Sequence, residues 1–252
     1  MANASQTSAH SEAPAISSGF ITKVAIAVVA IALFSVAISI AGQMFGDRML
    51  LAGHTDSTET FSIRIGQDTL SLEANTLRFA GQRHSGSAER ADLYFLWPEM
   101  TGYQRGERRR FDDVSLADTL IFVQLSQSTM SRDMSGRVEP IYSYLFDGPA
   151  EPGPHGLTLH RLRNDAGYAN EVMYTAPRFG QADYAVRCLI AAPDSPPSSG
   201  DCQRDIHVGR DLTVLYRFSS RRLADWERID AAIRQHFEAR LGGGAEKSSD
   251  SQ

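Results

Sequence analysis

The fold class of this chain is decided by residues 203–241, QRDIHVGRDLTVLYRFSSRRLADWERIDAAIRQHFEARL. In the first half, polar and apolar residues alternate on either side of Gly209 and Arg210, which is typical of two strands joined by a tight hairpin. In the second half, apolar residues recur at helical spacing along one face. This stripe consists of Leu223, Trp226, Ile229, Ile233, Phe237 and Leu241. The stretch therefore predicts an antiparallel hairpin followed by an amphipathic helix.

The residues that flank this helix mark its limits. Ser219 or Ser220 can cap its first turn, and Gly242 begins a run of three glycines that ends it. A stripe of this kind usually packs on the core of its own domain, and a groove that binds a partner is the alternative. We expect the helix to lie across one face of a sheet.

The residues before the hairpin continue the strand pattern. Residues 61–72 alternate with a period of two around a turn at 66–68, and residues 77–79 extend the pattern as a third short strand. Further strands are predicted at 93–97, 119–125, 157–163, 171–175 and 183–190, with a short amphipathic helix starting near Glu139. The prediction is an α+β fold: a mainly antiparallel sheet with a C-terminal amphipathic helix packed on one face.

In a second segment, residues 24–41 with the sequence VAIAVVAIALFSVAISIA, all residues are apolar or small, Ser35 and Ser39 carry the only hydroxyls, and there is no charge. As a helix it would be about 27 Å long, which is close to the hydrocarbon thickness of a bilayer. It predicts a single transmembrane helix over residues 23–45. A cleaved signal peptide is the alternative, because Ser39-Ile40-Ala41 offers small residues for cleavage, but the apolar region exceeds the usual signal-peptide length.

These two segments set the domain organisation. The predicted parts are a disordered tail at 1–22, the membrane helix at 23–45, a linker at 46–58, a globular domain at 59–242 and a disordered tail at 243–252. Lys23 before the membrane helix and Arg48 after it give the positive-inside rule almost no leverage on orientation. We expect the arrangement usual for such an anchor, with the globular domain outside the cytoplasm.

The two cysteines favour the same location. Cys188 and Cys202 each adjoin a predicted strand, and the residues between them are rich in proline and serine. We expect a disulfide at the base of this loop, worth about 3 kcal/mol for a ring of this size. Disulfides persist in the periplasm and seldom in the cytosol. Two unrelated buried thiols are the alternative, and two cysteines alone do not complete a zinc site.

Composition and motifs argue against several classes of function. The formal net charge is −5, which speaks against nucleic acid as a partner. The chain has no nucleophile elbow, phosphate-binding loop, zinc-protease helix motif or calcium loop, so we predict no catalytic residue, metal ligand or cofactor. Among the histidines, His84 is the best functional candidate, because Ser85 and Ser87 stand beside it.

An arginine- and aromatic-rich segment ends the predicted strand at 93–97 and follows it. Its candidate interface residues are Trp97, Tyr103, Arg105, Arg108, Arg109, Arg110 and Phe111. Arginine and aromatic residues are enriched in interface hot spots, and an arginine cluster could also meet acidic lipid headgroups. The alternative is a solvated loop that pairs with its own acidic residues. A second polar segment, residues 126–135, is predicted to be a flexible serine-rich loop.

Together these features favour a membrane-anchored, non-catalytic accessory or scaffold subunit of a bacterial-type envelope complex. We expect a single-pass protein of the inner membrane with its C-terminal domain in the periplasm. Its expected partners are an integral membrane protein complex and the lipid bilayer. The alternatives are an envelope hydrolase with an unrecognised Ser/His/Asp arrangement and a periplasmic ligand-binding or sensor module.

Overall fold

The structure is a computed structural model that describes residues 18–50, 53–168, 170–190 and 198–242. The chain divides into two compact units, residues 1–52 and 53–252. Most of the first predicted tail and the whole of the second, at 1–17 and 243–252, lie outside the described residues.

The N-terminal unit contains the helix α1, Ser18–Leu50. This helix includes the whole apolar segment 24–41 and continues to Leu50, inside the segment predicted as a linker. The side chains from 25 to 39 are all exposed. Within the described residues, no helix combines the length and the apolarity that crossing a membrane requires.

The second unit consists of strands with two α-helices. The strands are β1 Thr60–Ile65, β2 Asp68–Glu73, β3 Gly86–Ser87, β4 Arg90–Leu96, β5 Leu120–Gln127, β6 Glu151–Pro152, β7 Thr158–Arg161, β8 Glu171–Ala176, β9 Tyr184–Leu189, β10 Cys202–Val208 and β11 Leu212–Phe218. The helices are α2 Arg108–Asp112 and α3 Trp226–Glu238. Every strand predicted between 93 and 218 is present, with its ends shifted by a few residues.

These strands form two sheets. The small sheet has the order β2-β1-β3, in which β1 pairs antiparallel with β2 and parallel with β3. The large sheet has the order β4-β5-β11-β10-β9-β8-β7-β6, and all its neighbours are antiparallel. The prediction of a mainly antiparallel sheet with a C-terminal helix is therefore confirmed.

The C-terminal helix α3 covers one face of the large sheet. Ile233 and Phe237 are fully buried and belong to one cluster with the inward-facing residues of β4, β5, β10 and β11. A 3-10 turn, Ser220–Asp225, precedes the helix, and the Ser219 hydroxyl caps it by accepting the amide hydrogen of Arg221. The predicted apolar stripe is thus part of the domain core.

The third short strand, predicted at 77–79, is wrong. Leu77 makes only a single bridge to Leu93. The 3-10 turns Ala74–Thr76 and Ala80–Gln82 bend the chain on either side of it. The alternation of apolar and polar residues over 77–79 is too short to predict a strand, because a turn lies on either side.

The helix predicted from Glu139 is also wrong. In its place are two 3-10 turns, Ser135–Arg137 and Tyr142–Leu145. Pro140 lies between them, and a proline disfavours the helical conformation of the preceding residue and donates no backbone hydrogen bond. The apolar spacing around Pro140 reflects burial in a loop rather than a helix.

Hydrogen bonds connect the β1–β2 turn of the small sheet to the β10–β11 turn of the large sheet. The Asp68 carboxylate accepts hydrogen bonds from the backbone amides of Arg210 and Asp211 in the β10–β11 turn. Asp211 in return accepts the amide hydrogen of Gln67 at 2.9 Å. Gly209 has a φ of +68°, and a Cβ there would lie 2.6 Å from the Asp68 carboxylate, so glycine is required.

The large sheet is nearly divided between β9 and β10. These two strands pair at only two positions, Cys202 with Cys188 and Gln203 with Arg187. The predicted disulfide joins Cys188 to Cys202 at this junction, with 4.0 Å between the Cα atoms. The bond therefore ties the two halves of the sheet together where few backbone hydrogen bonds do.

A buried arginine fills the gap beyond this junction. Arg204 is 1% exposed, and its Nη1 donates to the backbone carbonyl of Ala185 on β9 at 2.7 Å and to Ser135 Oγ at 2.9 Å. Its Nε donates to Asp230 of α3 at 2.7 Å. The guanidinium thus replaces missing strand pairing and connects the sheet to the helix.

Asp230 is the acceptor at the centre of this network. It also accepts hydrogen bonds from the Tyr216 hydroxyl at 2.5 Å and from Arg178 at 2.8 Å. Burial acts to raise the pKa of Asp230, but the charge of Arg204 and the other hydrogen bonds outweigh it and the pKa is lowered. The carboxylate is therefore ionised and paired inside the core.

A half-buried histidine on α3 makes stability depend on pH. The His236 ring lies 4.6 Å from Phe95, and its Nε2 has no hydrogen-bond partner. Burial, with a smaller effect of Arg240, lowers the pKa of His236 to about 4. Because the unfolded chain protonates near the ordinary value of about 6.5, acid favours unfolding as pH falls from about 6.5 to 4.

We expect His236→Gln to remove this contribution, which reaches about 3 kcal/mol below pH 4. Urea unfolding measured at several pH values should show a flatter dependence for the variant than for the unchanged protein. His84→Gln is the matched control, because His84 is exposed. An equally steep loss of stability in both variants would contradict the assignment to His236.

Candidate functional site

The face of the large sheet opposite α3 is uncovered over strands β4, β5 and β11. We call it the open face, and its residues are Asp92, Phe122, Gln124, Ser126, Thr213, Leu215 and Arg217. These side chains are half-buried or exposed, whereas their inward-facing neighbours on the same strands are buried. They form rows across the strands, since Asp92 pairs with Gln124 and Gln124 pairs with Leu215.

On the next strands the same face is covered. Met134 and Tyr142, from the segment between β5 and β6, pack with Met173 of β8 and Ala185 of β9 in a second apolar cluster. The residues predicted as a flexible loop at 126–135 supply part of this cover. The open face therefore lies beside a raised edge and forms one side of a groove.

A cavity of about 590 Å³ lies along this edge. Its wall includes Asp205 of β10 and Arg137 of the covering segment, which form an ion pair. Asp205 Oδ2 and Arg137 Nε have no hydrogen-bond partner in the part of the chain that the structure describes. The ion pair in the cavity wall therefore leaves one acceptor atom and one donor atom buried without a partner.

A serine and a histidine meet at the rim of the cavity. Ser128 Oγ lies 2.9 Å from His207 Nε2, accepts a hydrogen bond from Thr213 at 3.1 Å and donates to the carbonyl of Met130 at 3.0 Å. None of the described carboxylates bonds His207 Nδ1, so the imidazole lacks the group that orients it in a catalytic triad. The pair stabilises the end of β5.

Arginine and aromatic residues occupy the other end of the open face. The Arg78 guanidinium carbon lies 4.9 Å from the centroid of Phe122 and 5.2 Å from that of Phe79, whose side chain is 45% exposed. Arg217 pairs with Phe122 in the register of β5 and β11. This combination is enriched at protein interfaces.

The arginines predicted as an interface are paired within the domain. Arg105 bonds Asp56 at 2.7 Å, Arg108 bonds Asp112 at 2.9 Å, and Arg109 bonds Asp113 at 3.5 Å. Arg110 donates to both carboxylate oxygens of Glu99 at 3.0 Å and to the Trp97 carbonyl at 2.9 Å. The Arg110 hydrogen bonds lower the pKa of Glu99.

The aromatic members of that segment are largely buried. Trp97 is 4% exposed and donates from Nε1 to Asp225 at 3.0 Å, and Tyr103 is 1% exposed. Phe111 is half-buried and lies 5.2 Å from the Tyr103 ring. In this conformation the Trp97 and Tyr103 rings support the domain, while the side chains of Arg105, Arg108 and Arg109 are exposed.

His54 belongs to the same region, although it lies in the predicted linker. Its ring stacks on Tyr103 at 4.6 Å, with Nδ1 3.0 Å from the Tyr94 hydroxyl and Nε2 3.2 Å from Asp112. This carboxylate–imidazole–hydroxyl order resembles a nucleophilic triad. Tyr94, however, is 1% exposed, and burial raises its pKa to about 12, so its oxygen is a protonated and inaccessible phenol.

The remaining candidate histidine makes no such cluster. His84 is exposed and its Nδ1 contacts only the neighbouring Ser85 carbonyl, at 3.3 Å. The Ser85 hydroxyl is taken by the backbone amide of Ser62. The part of the chain that is described holds no group of three or more His, Cys, Asp or Glu side chains able to bind a metal ion.

Comparisons with known proteins return two distant structural likenesses. No protein-family model and no curated protein matches the chain. Smlt3025, an immunity protein of the Stenotrophomonas maltophilia type IV secretion system, shares 17% identity over 72% of this chain and 92% of that chain, with a TM-score of 0.46. The iron-regulated outer membrane lipoprotein FrpD of Neisseria meningitidis shares 10% identity over 74% and 96%, with a TM-score of 0.41. At these scores neither likeness identifies what this chain does.

Sequence reasoning missed the open face for a definite reason. Arg78 and Phe79 are adjacent in sequence, but Phe122 and Arg217 join them only through strand pairing. The available signal was the polar residues that alternate with the core positions of β5 and β11. Their pattern predicts an exposed face. Which residues lie side by side on that face depends on the order of the strands, which the sequence pattern does not predict.

Proposed function

We propose that the protein is a non-catalytic accessory subunit of a bacterial-type envelope complex. Residues 23–45 anchor it in the inner membrane, and the domain from residue 53 onward contacts a partner protein in the periplasm. The observation that carries this proposal is the open face, because a groove lined by the Phe122 ring, apolar side chains, amides and arginines has the composition of a contact surface.

The proposed location has two supports. The apolar run at 24–41 is helical, and its described side chains are all exposed, including Ile31, Leu33 and Phe34 at 66–68%. Exposed apolar surface on that scale requires a partner, either lipid or protein. The buried disulfide between Cys188 and Cys202 supports an oxidising compartment for the domain.

The arginine segment is proposed as a second contact. The side chains of Arg105 and Arg109 are 61% and 85% exposed although both are ion-paired. Exposed ion pairs of this kind contribute under about 1 kcal/mol, so these arginines can exchange their internal partners for those of another protein. The role is a contact rather than catalysis, since the three hydroxyl–imidazole pairs among the described residues make structural hydrogen bonds. These pairs are His54 with Tyr94, His207 with Ser128 and His160 with Thr175.

Co-purification of the full chain from its native membranes tests this proposal. After membranes are washed with high salt and dissolved in a mild detergent, we expect the tagged protein to elute with a partner in fixed ratio. Leu215→Arg should detach the partner, because it places an unpaired charge in a desolvated groove. The combined change of Arg108, Arg109 and Arg110 to Ala should weaken the association.

Arg161→Ala is the matched control, because Arg161 forms an exposed ion pair with Glu151 far along the sheet, on β7. Urea unfolding of each variant separates loss of contact from loss of fold. Elution of the unchanged protein alone from every detergent, without any stoichiometric partner, would contradict the accessory role.

A further inference from the structure

We infer that Arg78 and Arg217, on either side of Phe122, form a clamp for the carboxylates of an acidic, extended segment of a partner protein. The inference rests on the proposed function and names the chemistry of its partner. It depends on four observations: the geometry of the two arginines, their lack of an internal acid, the groove beside them, and the charges around that groove.

The first observation is geometric. The Arg78 guanidinium lies over the Phe122 ring, with 4.9 Å from its carbon to the ring centroid. Phe122 and Arg217 are register partners on adjacent antiparallel strands, so their side chains project side by side from the same face. A planar guanidinium held against a ring keeps its N–H groups free to bind a carboxylate with two hydrogen bonds.

The second observation is that these two arginines have no acidic partner among the described residues. Other arginines of the domain are paired, such as Arg90 with Asp92, Arg137 with Asp205 and Arg187 with Glu171. Asp92, a carboxylate on the open face, already forms an ion pair with Arg90 and accepts a hydrogen bond from Gln82. In a chain with a net charge of −5, two unpaired cations beside one ring are a local excess of positive charge.

The third observation is the continuity of the groove. The hollow between Arg78 and Arg217 is lined by Phe122, Gln124 and Leu215. Gln124 and Leu215 also line the cavity of about 590 Å³ toward His207. An extended chain entering at the arginines would therefore meet an apolar surface, an amide and then the polar wall of the cavity.

The fourth observation favours a protein segment over acidic lipid headgroups. The same face carries the carboxylates of Asp92 and Asp205, which would repel a uniformly anionic bilayer surface. A groove bounded by a raised edge also admits a narrow chain more readily than a flat membrane. A peptide that places carboxylates only at the arginine end fits both features.

The test uses the full chain in its native cells with a photocrosslinking phenylalanine analogue in place of Phe79. Phe79 is 45% exposed and lies against Arg78, so the probe reports what occupies the clamp. We expect it to label one protein segment that contains Asp or Glu, which mass spectrometry identifies. Arg78→Glu combined with Arg217→Glu should reduce labelling more than tenfold, since unpaired charges at an interface are costly.

Arg210→Glu is the matched control, because the Arg210 side chain is exposed in the β10–β11 turn and forms no ion pair with a described residue. Replacing the Asp or Glu residues of the labelled partner segment by Arg should restore labelling by the Arg78→Glu, Arg217→Glu variant. Adducts on lipid, labelling of a segment without acids, or labelling that survives the double reversal would each overturn the clamp. If a partner co-purifies under those outcomes, the accessory role stands and only the clamp fails.

Discussion

Arg204→Met is expected to destabilise the domain by about 3–5 kcal/mol, the largest effect of any single substitution considered. Arg204 is 1% exposed, and its removal leaves the Asp230 carboxylate buried with less charge compensation. It also removes the donor that serves the Ala185 carbonyl in the gap between β9 and β10. Methionine retains most of the volume, so the loss is one of charge and hydrogen bonds rather than of packing.

The measurement is urea unfolding followed by tryptophan fluorescence. Arg161→Met is the matched control: its ion pair with Glu151 is about half exposed on both sides, and its loss should cost under about 1 kcal/mol. The double variant Arg204→Met with Asp230→Leu should recover part of the stability, since it removes the stranded carboxylate. Equal effects of the Arg204 and Arg161 substitutions would contradict the account of the network.

This network shows where prediction from sequence ends. Arg204 stands at an inward-facing position of β10, between Cys202 and Ile206, where alternation predicts an apolar residue. Its partners Ser135 and Asp230 come from segments far away in the chain. Hydrophobic periodicity cannot predict a buried charged residue. The Arg204 guanidinium can be buried only because the fold brings acceptors such as Asp230 and Ser135 to it.

What sequence predicted well were elements with long, regular patterns. The hairpin of β10 and β11 and the helix α3 each show a period that one buried face imposes over many residues. Elements with only a few supporting residues, at 77–79 and 139–145, were predicted wrongly, because a turn or a proline decides such short stretches. Composition made Trp97 and Tyr103 candidate interface residues, and their side chains are 4% and 1% exposed in the domain.

The same distinction holds for the candidate site: features with a local sequence pattern were predictable, and features assembled by the fold were not. The disulfide was predictable because both cysteines adjoin strands and enclose a loop. The open face was not, because strand order brings Arg78, Phe122 and Arg217 together. An interface assembled from separate strands leaves no contiguous motif, whereas the arginine segment at 103–111 is contiguous and can be recognised from composition.

Replacing Cys188 and Cys202 together by Ala is expected to lower the free energy of unfolding by about 3 kcal/mol. The bond closes a short ring, with a sequence separation of 14, and it joins β9 to β10 where only two residue pairs connect the halves of the sheet. Without it, the residues that the ring encloses gain conformational freedom in the unfolded chain, and the junction loses the cross-link that supplements its two pairs. Urea unfolding with and without a reductant measures the effect.

The reductant provides an internal control for this prediction. Cys188 and Cys202 are 2% and 0% exposed, so a reductant reaches the bond mainly through the unfolded state. It should therefore lower the unfolding midpoint of the unchanged protein toward that of the double variant, and leave the double variant unaffected. An unchanged midpoint with both thiols free would show that the bond contributes nothing. Alkylation of free thiols before lysis of native cells then tests the compartment, since a periplasmic domain should yield the two peptides joined and unlabelled.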